Sequence, residues 1–142
     1  MIRVEETRDL ATAFEIRRVV FTLGQNVPVE EEQDGLDEAA LHFLAFDGDR
    51  PVGTARVVLG DGYGKIGRVG VLEEARGTGA GAALMRAVVA RLRDLGLSEA
   101  RLGAQTHALA FYERLGFEAH GPVFDDAGIP HRAMRMTLQP PL

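Results

Sequence analysis

The chain of 142 residues contains no cysteine. This absence excludes a disulfide framework, a thiolate metal site and a cysteine nucleophile. No apolar run approaches the about 20 residues needed to span a bilayer, and no basic segment followed by an apolar one opens the sequence. A net charge of −5 argues against sequence-independent nucleic-acid binding, which needs a basic face. We therefore expect a cytoplasmic protein with neither a membrane nor a nucleic-acid partner.

The chain does contain enough apolar residues for one core. It is 46% hydrophobic without linkers or repeats, so residues 1–142 are predicted to form a single domain. Apolar periodicity predicts a strand, a helix, an acidic segment, three strands, a helix, a strand, a helix and two strands. This order indicates the α+β class, with an antiparallel run of early strands. Strands are predicted at 2–5, 41–47, 51–59, 66–72, 100–104, from 117 and from 134, before Pro140 and Pro141 end the fold.

A glycine-rich turn between a predicted strand and a predicted helix is the most informative stretch. Alternate glycines let consecutive backbone N–H groups turn toward one small volume, and the positive end of the helix dipole lies beside them. The turn is therefore predicted to bind a diphosphate. Its residues are Arg76, Gly77, Thr78, Gly79, Ala80 and Gly81.

Three phosphate-binding motifs compete for this turn, and a surface turn without a ligand is a fourth interpretation. A Walker A loop requires a lysine, and none lies in or just after the turn. A dinucleotide fingerprint fits Gly77, Gly79 and Ala82, but 142 residues leave little room for two nucleotide-binding halves and a substrate domain. The third motif is R-x-x-G-x-G, formed by Arg76, Gly79 and Gly81 directly after a strand.

The third motif resembles the coenzyme A loop of the GNAT superfamily of N-acetyltransferases. Residues 108–117 resemble the A-x-x-F-Y-E-x-L-G-F segment of that superfamily, and the predicted strand order matches as well. The chain has Gln105 where many members of the superfamily have asparagine. Stretches that resemble the ElaA/YjcF-like bacterial subgroup are 20–21, 25–28, 30–37, 40–42, 53–56, 104–108 and 128–131, but the chain has Gly24 where that subgroup commonly has glutamate.

The resemblance implies a mixed, mostly antiparallel sheet, flanked by helices and splayed after its fourth strand, with acetyl-CoA inserted in the gap. Backbone groups of Val69 and Val71 would pair with the pantetheine arm, and Gly70 would permit its close approach. Amides from Arg76 to Ala82 would hold the diphosphate. The implied cofactor contacts are Val69, Gly70, Val71, Arg76, Gly77, Thr78, Gly79, Ala80, Gly81, Ala82, Gln105, Ala108, Phe111 and Tyr112.

Tyr112 is the predicted acid of the reaction. With no cysteine and no serine in a nucleophile elbow, a covalent acyl-enzyme is not expected, so an amine would attack the thioester directly in a ternary complex. A phenol with a pKa of about 10 stays protonated at pH 7 and can donate a proton to the departing thiolate. The alternative is that Tyr112 is a core aromatic beside Phe111.

Three histidines are candidates for the general base, namely His42, His107 and His131, and each could instead be structural. They lie far apart in the sequence and lack H-x-x-x-H helix spacing, so no metal site is predicted.

An acidic stretch at 30–38 is either a solvated segment or a negative mouth that attracts a protonated amine. Its carboxylates could also deprotonate the amine through a water molecule. The predicted substrate-binding residues are Gln25, Glu30, Glu32, Asp34 and His42.

The predicted function is transfer of the acetyl group of acetyl-CoA to a primary amine of a small molecule. Two alternatives remain open at this stage. One is a protein that senses acyl-CoA without turning it over, and the other is an acetyltransferase that acts on a protein lysine or N-terminus. The sequence also leaves open whether the chain forms a homodimer.

Overall fold

A single seven-stranded sheet organises residues 1–138, which are the residues that the computed structural model describes. The predicted end at Pro140 and Pro141 lies outside them. The strand order is β1-β2-β3-β4-β5-β7-β6. The strands are β1 Ile2–Thr7, β2 Leu41–Asp47, β3 Arg50–Leu59, β4 Tyr63–Val71, β5 Glu99–Gln105, β6 Glu118–Asp126 and β7 Ile129–Thr137.

Most neighbouring strands are antiparallel, as predicted. The first four form an antiparallel run, and β5, β7 and β6 form a second one. Within residues 1–138, only β4 and β5 pair in parallel, because α3 connects them as a crossover on one face of the sheet. The result is two antiparallel halves joined by one parallel seam.

In the described part of the chain, four α-helices flank the sheet, namely α1 Leu10–Arg17, α2 Val29–Glu32, α3 Ala80–Asp94 and α4 Leu109–Arg114. The carboxylate of Asp9 caps α1 by accepting the amide of Thr12 at 3.1 Å. A π-helix, Arg18–Leu23, continues α1 up to Gly24. Within residues 1–138, no helix has both the length and the apolar character that crossing a bilayer requires.

The main core lies between α3 and one face of the sheet. The apolar stripe of α3 presents Leu84, Val88 and Leu92, all fully buried, to strand residues such as Val57 and Ile66. A smaller cluster fills the opposite face, where α1 and the π-helix pack on β2. Its buried members are Ala13, Ile16, Val20 and Leu44.

The parallel seam between β4 and β5 is short, and this opens the sheet. Pairing runs only from Tyr63 opposite Glu99 to Ile66 opposite Leu102. Just beyond Ile66, β4 bulges against β3, and Arg68 adopts a positive φ of 52°. A bulge bends its strand, so β4 diverges from β5. The predicted splay after the fourth strand is confirmed.

Gly70 in β4 packs closely against the π-helix. A Cβ atom at this position would lie 3.1 Å from Val20 Cγ1 and 3.3 Å from Phe21 Cζ. The missing side chain therefore makes room for the π-helix.

Candidate active site

The splay between β4 and β5 forms a cleft of about 790 Å³. Its walls come from the end of the π-helix, the α2 segment, the two diverging strands, the start of α4 and the β6–β7 hairpin. This volume is within the range typical of small-molecule sites. The predicted site residues that line it are Gln25, Glu32, Asp34, Val69, Gly70, Val71, Arg76, Gln105, His107, Ala108, Tyr112 and His131.

The glycine-rich turn leads into α3 with several unpaired amides. Gly77 and Gly79 have φ values of 82° and 87°, a conformation that favours glycine, and a Cβ on either would meet open space. No side chain caps α3. Within residues 1–138, the amides of five residues have no hydrogen-bond acceptor: Gly77, Gly79, Ala80, Gly81 and Ala82. Together with the helix dipole, these donors form a site suited to an anion.

Phe111 links this turn to α4 and does not line the cleft. Its ring would lie 3.3 Å from a Cβ at Gly81, which explains the glycine there. The same ring packs edge-on against Tyr112, with 4.9 Å between the centroids. Phe111 therefore packs against both the glycine-rich turn and the ring of Tyr112.

Tyr112 lies in the cleft with a free hydroxyl. No residue in the described range 1–138 forms a hydrogen bond with this group. Phe111 and Phe117 enclose the ring edge-on, at centroid distances of 4.9 and 6.1 Å. Burial raises the pKa of Tyr112 to about 12, so the hydroxyl remains a proton donor throughout the neutral and mildly alkaline range.

A chain of hydrogen bonds crosses the cleft from the π-helix side to β5. The Nε2 group of Gln105 donates to Oε1 of Gln25 at 3.0 Å. The Oε1 atom of Gln105 therefore faces His107, whose Nε2 lies 2.7 Å away and must be the donor. In the neutral His107 ring, this leaves Nδ1 as the atom with a free lone pair.

The other two candidate histidines differ in position. His131 lines the cleft, and its Nδ1 donates to the carbonyl oxygen of Ile129 at 2.7 Å, so its Nε2 carries the lone pair. His42 is buried in β2 outside the cleft lining, with Nε2 donating to the Asp37 carbonyl at 2.8 Å. The predictions that His42 is a base or a substrate contact were therefore wrong, since β2 lies two strands away from the splay.

Three arginines and three carboxylates form a closed group beside the cleft, which we call the arginine–carboxylate network. It ties α1 and the α2 segment to β3 and β4, with N–O distances between 2.7 and 3.2 Å. Positive and negative charges match one for one. In order of contact the members are Arg17, Glu32, Arg68, Asp34, Arg56 and Asp37, which returns to Arg17.

This network bears on the predicted negative mouth. Glu32 and Asp34 line the cleft, but arginines neutralise them, and Glu30 is exposed outside the lining. Hydrogen bonds from Arg56 hold the pKa of Asp34 well below its usual range, which makes it a poor base. Sequence reasoning missed the arginines, although Arg56 lies in the family-like stretch 53–56.

We expect stability to fall at acidic pH because of Asp34 and Asp37. Burial opposes ionisation of Asp37, but Arg17 and Arg56 outweigh it and lower its pKa, as Arg56 does for Asp34. Carboxyls with a lowered folded pKa contribute stability above the unfolded value, about 3.9, and this stability is lost as pH falls through the folded value. Melting temperatures should therefore be steady from pH 7 to about 5 and decline below about 4.

Thermal denaturation of Asp34→Asn against pH tests this expectation. The variant should melt lower at pH 7 and show a shallower acid decline, whereas Asp61→Asn, at an exposed position without a partner in the described chain, should follow the wild type. A wild-type melting temperature that stays constant down to pH 2 would contradict the assignment.

A sheet splayed at a β4 bulge, with a turn of free amides after it, is the arrangement of the acyl-CoA N-acyltransferase fold. The family model described as an acetyltransferase (GNAT) domain matches residues 17–138. The chain therefore belongs to the GNAT acetyltransferase family. This finding confirms the resemblance that the turn and the segment 108–117 indicated.

Proteins of the predicted ElaA/YjcF-like subgroup are among the relatives that this chain resembles. The N-acetyltransferase YjcF of Bacillus subtilis is 43% identical over 126 residues, covering 88% of this chain and 90% of YjcF. ElaA of Escherichia coli is 32% identical over 130 residues, covering 88% and 85%. Its crystal structure matches with a TM-score of 0.82 at 30% identity, over 96% of this chain and 99% of that chain. An acyl-CoA N-acyltransferase from Pseudomonas aeruginosa matches with a TM-score of 0.83 at 31% identity, over 96% and 98%.

Proposed function

We propose that this acetyltransferase moves the acetyl group of acetyl-CoA to a primary amine of a small molecule, by direct attack in a ternary complex. The observation that carries the proposal is the Tyr112 hydroxyl, which lines the cleft, is protonated at neutral pH and has no hydrogen-bond partner in residues 1–138. A buried hydroxyl that is only part of a core usually finds a partner. A free one in a cleft is available to a reactant.

The chain has the groups that coenzyme A requires. Five free amides at the start of α3 suit the diphosphate, and Arg76 adds a positive charge at the cleft. Beyond Ile66, β4 has no partner on the side of β5. Backbone groups of Val69 and Val71 on this side can therefore pair with the amides of the pantetheine arm, as an added strand would.

The chemistry divides between one acid and one base. Acetyl-CoA, when bound, supplies a thioester whose carbonyl carbon bonds to the amine nitrogen and whose C–S bond breaks. The Tyr112 hydroxyl donates a proton to the departing sulfur. The nitrogen lone pair of His107 Nδ1 or His131 Nε2 accepts the proton that the amine loses, since both rings line the cleft in fixed tautomers.

Release of free thiol from acetyl-CoA, measured with a panel of primary amines, tests the proposed function. Thiol release that depends on an added amine, with an N-acetylated product identified by mass spectrometry, is the expected result. A protein that binds coenzyme A by calorimetry yet releases no thiol with any amine would be a sensor, and the proposal would fail.

Gly79→Ala is expected to weaken coenzyme A binding about tenfold or more. The methyl group would enter the open side of the turn and force a residue with φ of 87° to relax, which misaligns amides that each contribute a charge-assisted hydrogen bond. Isothermal calorimetry with coenzyme A measures the change. Gly48→Ala, also at positive φ but in the β2–β3 hairpin, is the matched control and should bind normally. Equal affinities in both variants would place the diphosphate elsewhere.

A further inference from the structure

The positive charges that line the cleft differ in what they already bind. Arg56 and Arg68 belong to the arginine–carboxylate network, and Arg76 belongs to the diphosphate turn. Among the described residues, Lys65 is the remaining cation of the lining, and it is the single lysine in the sequence. It forms no ion pair with any residue in the described part of the chain. Its ammonium is therefore available to an anionic ligand.

Lys65 lies at the end of the cleft that is remote from the glycine-rich turn. It sits in the paired part of β4, opposite Val58 of β3 and Arg101 of β5. Because side chains alternate along a strand, Lys65 shares its sheet face with Gly67, and this face is opposite to the α3 core that Ile66 enters. A Cβ at Gly67 would meet nothing within 4 Å, so the floor of the cleft is open above it.

The distance along β4 sets the size of a ligand that reaches both ends. Four residues separate Lys65 from Val69, or about 13 Å at about 3.3 Å per residue. The lysine side chain, with five bonds to its nitrogen, can shorten this by about 6 Å. An anion on Lys65 would therefore lie about 7 to 13 Å from a group reacting beside Val69. An α-amino acid is too short to bridge this gap.

Apolar side chains stand on the wall between the two ends. Val58, Phe124 and Ile129 line the cleft on this face, and a Cβ at Gly103 would lie 3.3 Å from the Phe124 ring. Burial of hydrocarbon against these side chains is favourable. The arrangement suits an aliphatic chain with one polar group at each end.

The next inference rests on the proposed function. We propose that the acceptor is an aliphatic primary amine whose far end carries a carboxylate, with about five or more methylene groups between the two. Lys65 binds the carboxylate. The amine nitrogen forms an amide bond to the acetyl carbon as the C–S bond breaks. The sulfur leaves with a proton from Tyr112, and the amine proton passes to a cleft histidine. Lys65 is a specificity residue that takes no part in proton transfer.

A pair of acceptors of equal length separates the role of the carboxylate from that of the chain. The wild type should acetylate 6-aminohexanoate with a kcat/KM about three- to tenfold above that of n-hexylamine, the range expected for one solvated ion pair that becomes partly buried. Glycine should react more slowly than 6-aminohexanoate. Lys65→Met should remove the preference by raising KM for 6-aminohexanoate alone, and Lys65→Arg should keep it.

The outcomes distinguish this inference from the proposed function. If Lys65→Met retains the wild-type preference, or if the wild type prefers n-hexylamine, the carboxylate does not bind Lys65 and the inference is overturned while acetyl transfer stands. If neither acceptor releases thiol although coenzyme A binds, the proposed function fails and the inference fails with it.

Discussion

Tyr112→Phe is expected to lower the turnover number about 100-fold or more while coenzyme A affinity stays unchanged. The substitution removes only the hydroxyl, and the ring keeps its edge-on contacts with Phe111 and Phe117. No hydrogen bond of the folded chain within residues 1–138 is lost, because this hydroxyl has no partner there. The loss should therefore appear in kcat and leave folding intact.

The raised pKa of Tyr112 limits the conditions under which its hydroxyl can donate a proton to the sulfur. At about 12, the phenol is a weaker acid than a thiol, whose pKa is about 8.5, so full proton transfer to a hydrated thiolate would be unfavourable. The same burial that raises the phenol pKa also disfavours a charged sulfur. Donation is therefore favoured only where both groups are removed from water.

Steady-state kinetics with acetyl-CoA and an accepted amine, together with calorimetry, measure the two quantities. Tyr63→Phe is a matched control, because Tyr63 is the second of the two tyrosines and lies outside the cleft lining, beneath the guanidinium of Arg101. Its kinetics should equal those of the wild type. Unchanged turnover in Tyr112→Phe would remove the tyrosine from the mechanism.

The two candidate bases are compared by the turnover numbers of His107→Ala and His131→Ala, and the substitution of the base should cause the larger loss.

Arg17→Met is expected to destabilise the fold by about 3 to 5 kcal/mol. The guanidinium is 1% exposed and bridges Glu32 and Asp37, with N–O distances of 2.8 and 2.7 Å. Methionine fills much of the volume but leaves two buried carboxylates short of one positive charge. In a chain of this length, the melting temperature should fall by about 10 °C or more.

Arg18→Met is the control for this prediction, because Arg18 follows Arg17 directly but pairs with Glu15 on the exposed side of the helix. Its melting temperature should stay close to that of the wild type, since exposed ion pairs contribute little. Similar melting curves for the two variants would mean that the arginine–carboxylate network is not a major source of stability. A selective loss in Arg17→Met would show that it holds the α2 segment against the sheet.

Local features of this chain could be predicted from the sequence, and long-range pairings could not. The turn at 76–81 and the hairpin around Gly48 depend on glycine positions, and β2 was predicted with its observed bounds, because alternation and turn residues are local signals. By contrast, the ion pair of Arg17 with Asp37 joins residues 20 positions apart. Nothing local distinguishes that arginine from the exposed Arg18 beside it.

The histidines illustrate the same limit within the site. All three candidates had equal standing in the sequence, because a histidine carries no signal of its depth in a fold. The strand order separates the three positions. His42 lies in β2, away from the splay, whereas His107 and His131 lie near the end of the β5–β7 pair that faces the splay. The bulge at Arg68 could not be predicted from local sequence either, because Arg68 is a non-glycine residue at positive φ.

The single lysine has a practical consequence for studying this protein in solution. Apart from the α-amino group, an amine-reactive fluorophore has one side chain to couple with, and that side chain lies on the floor of the cleft. A dye attached to Lys65 would report on whatever displaces water above Gly67, without the engineered cysteine that such labelling ordinarily requires.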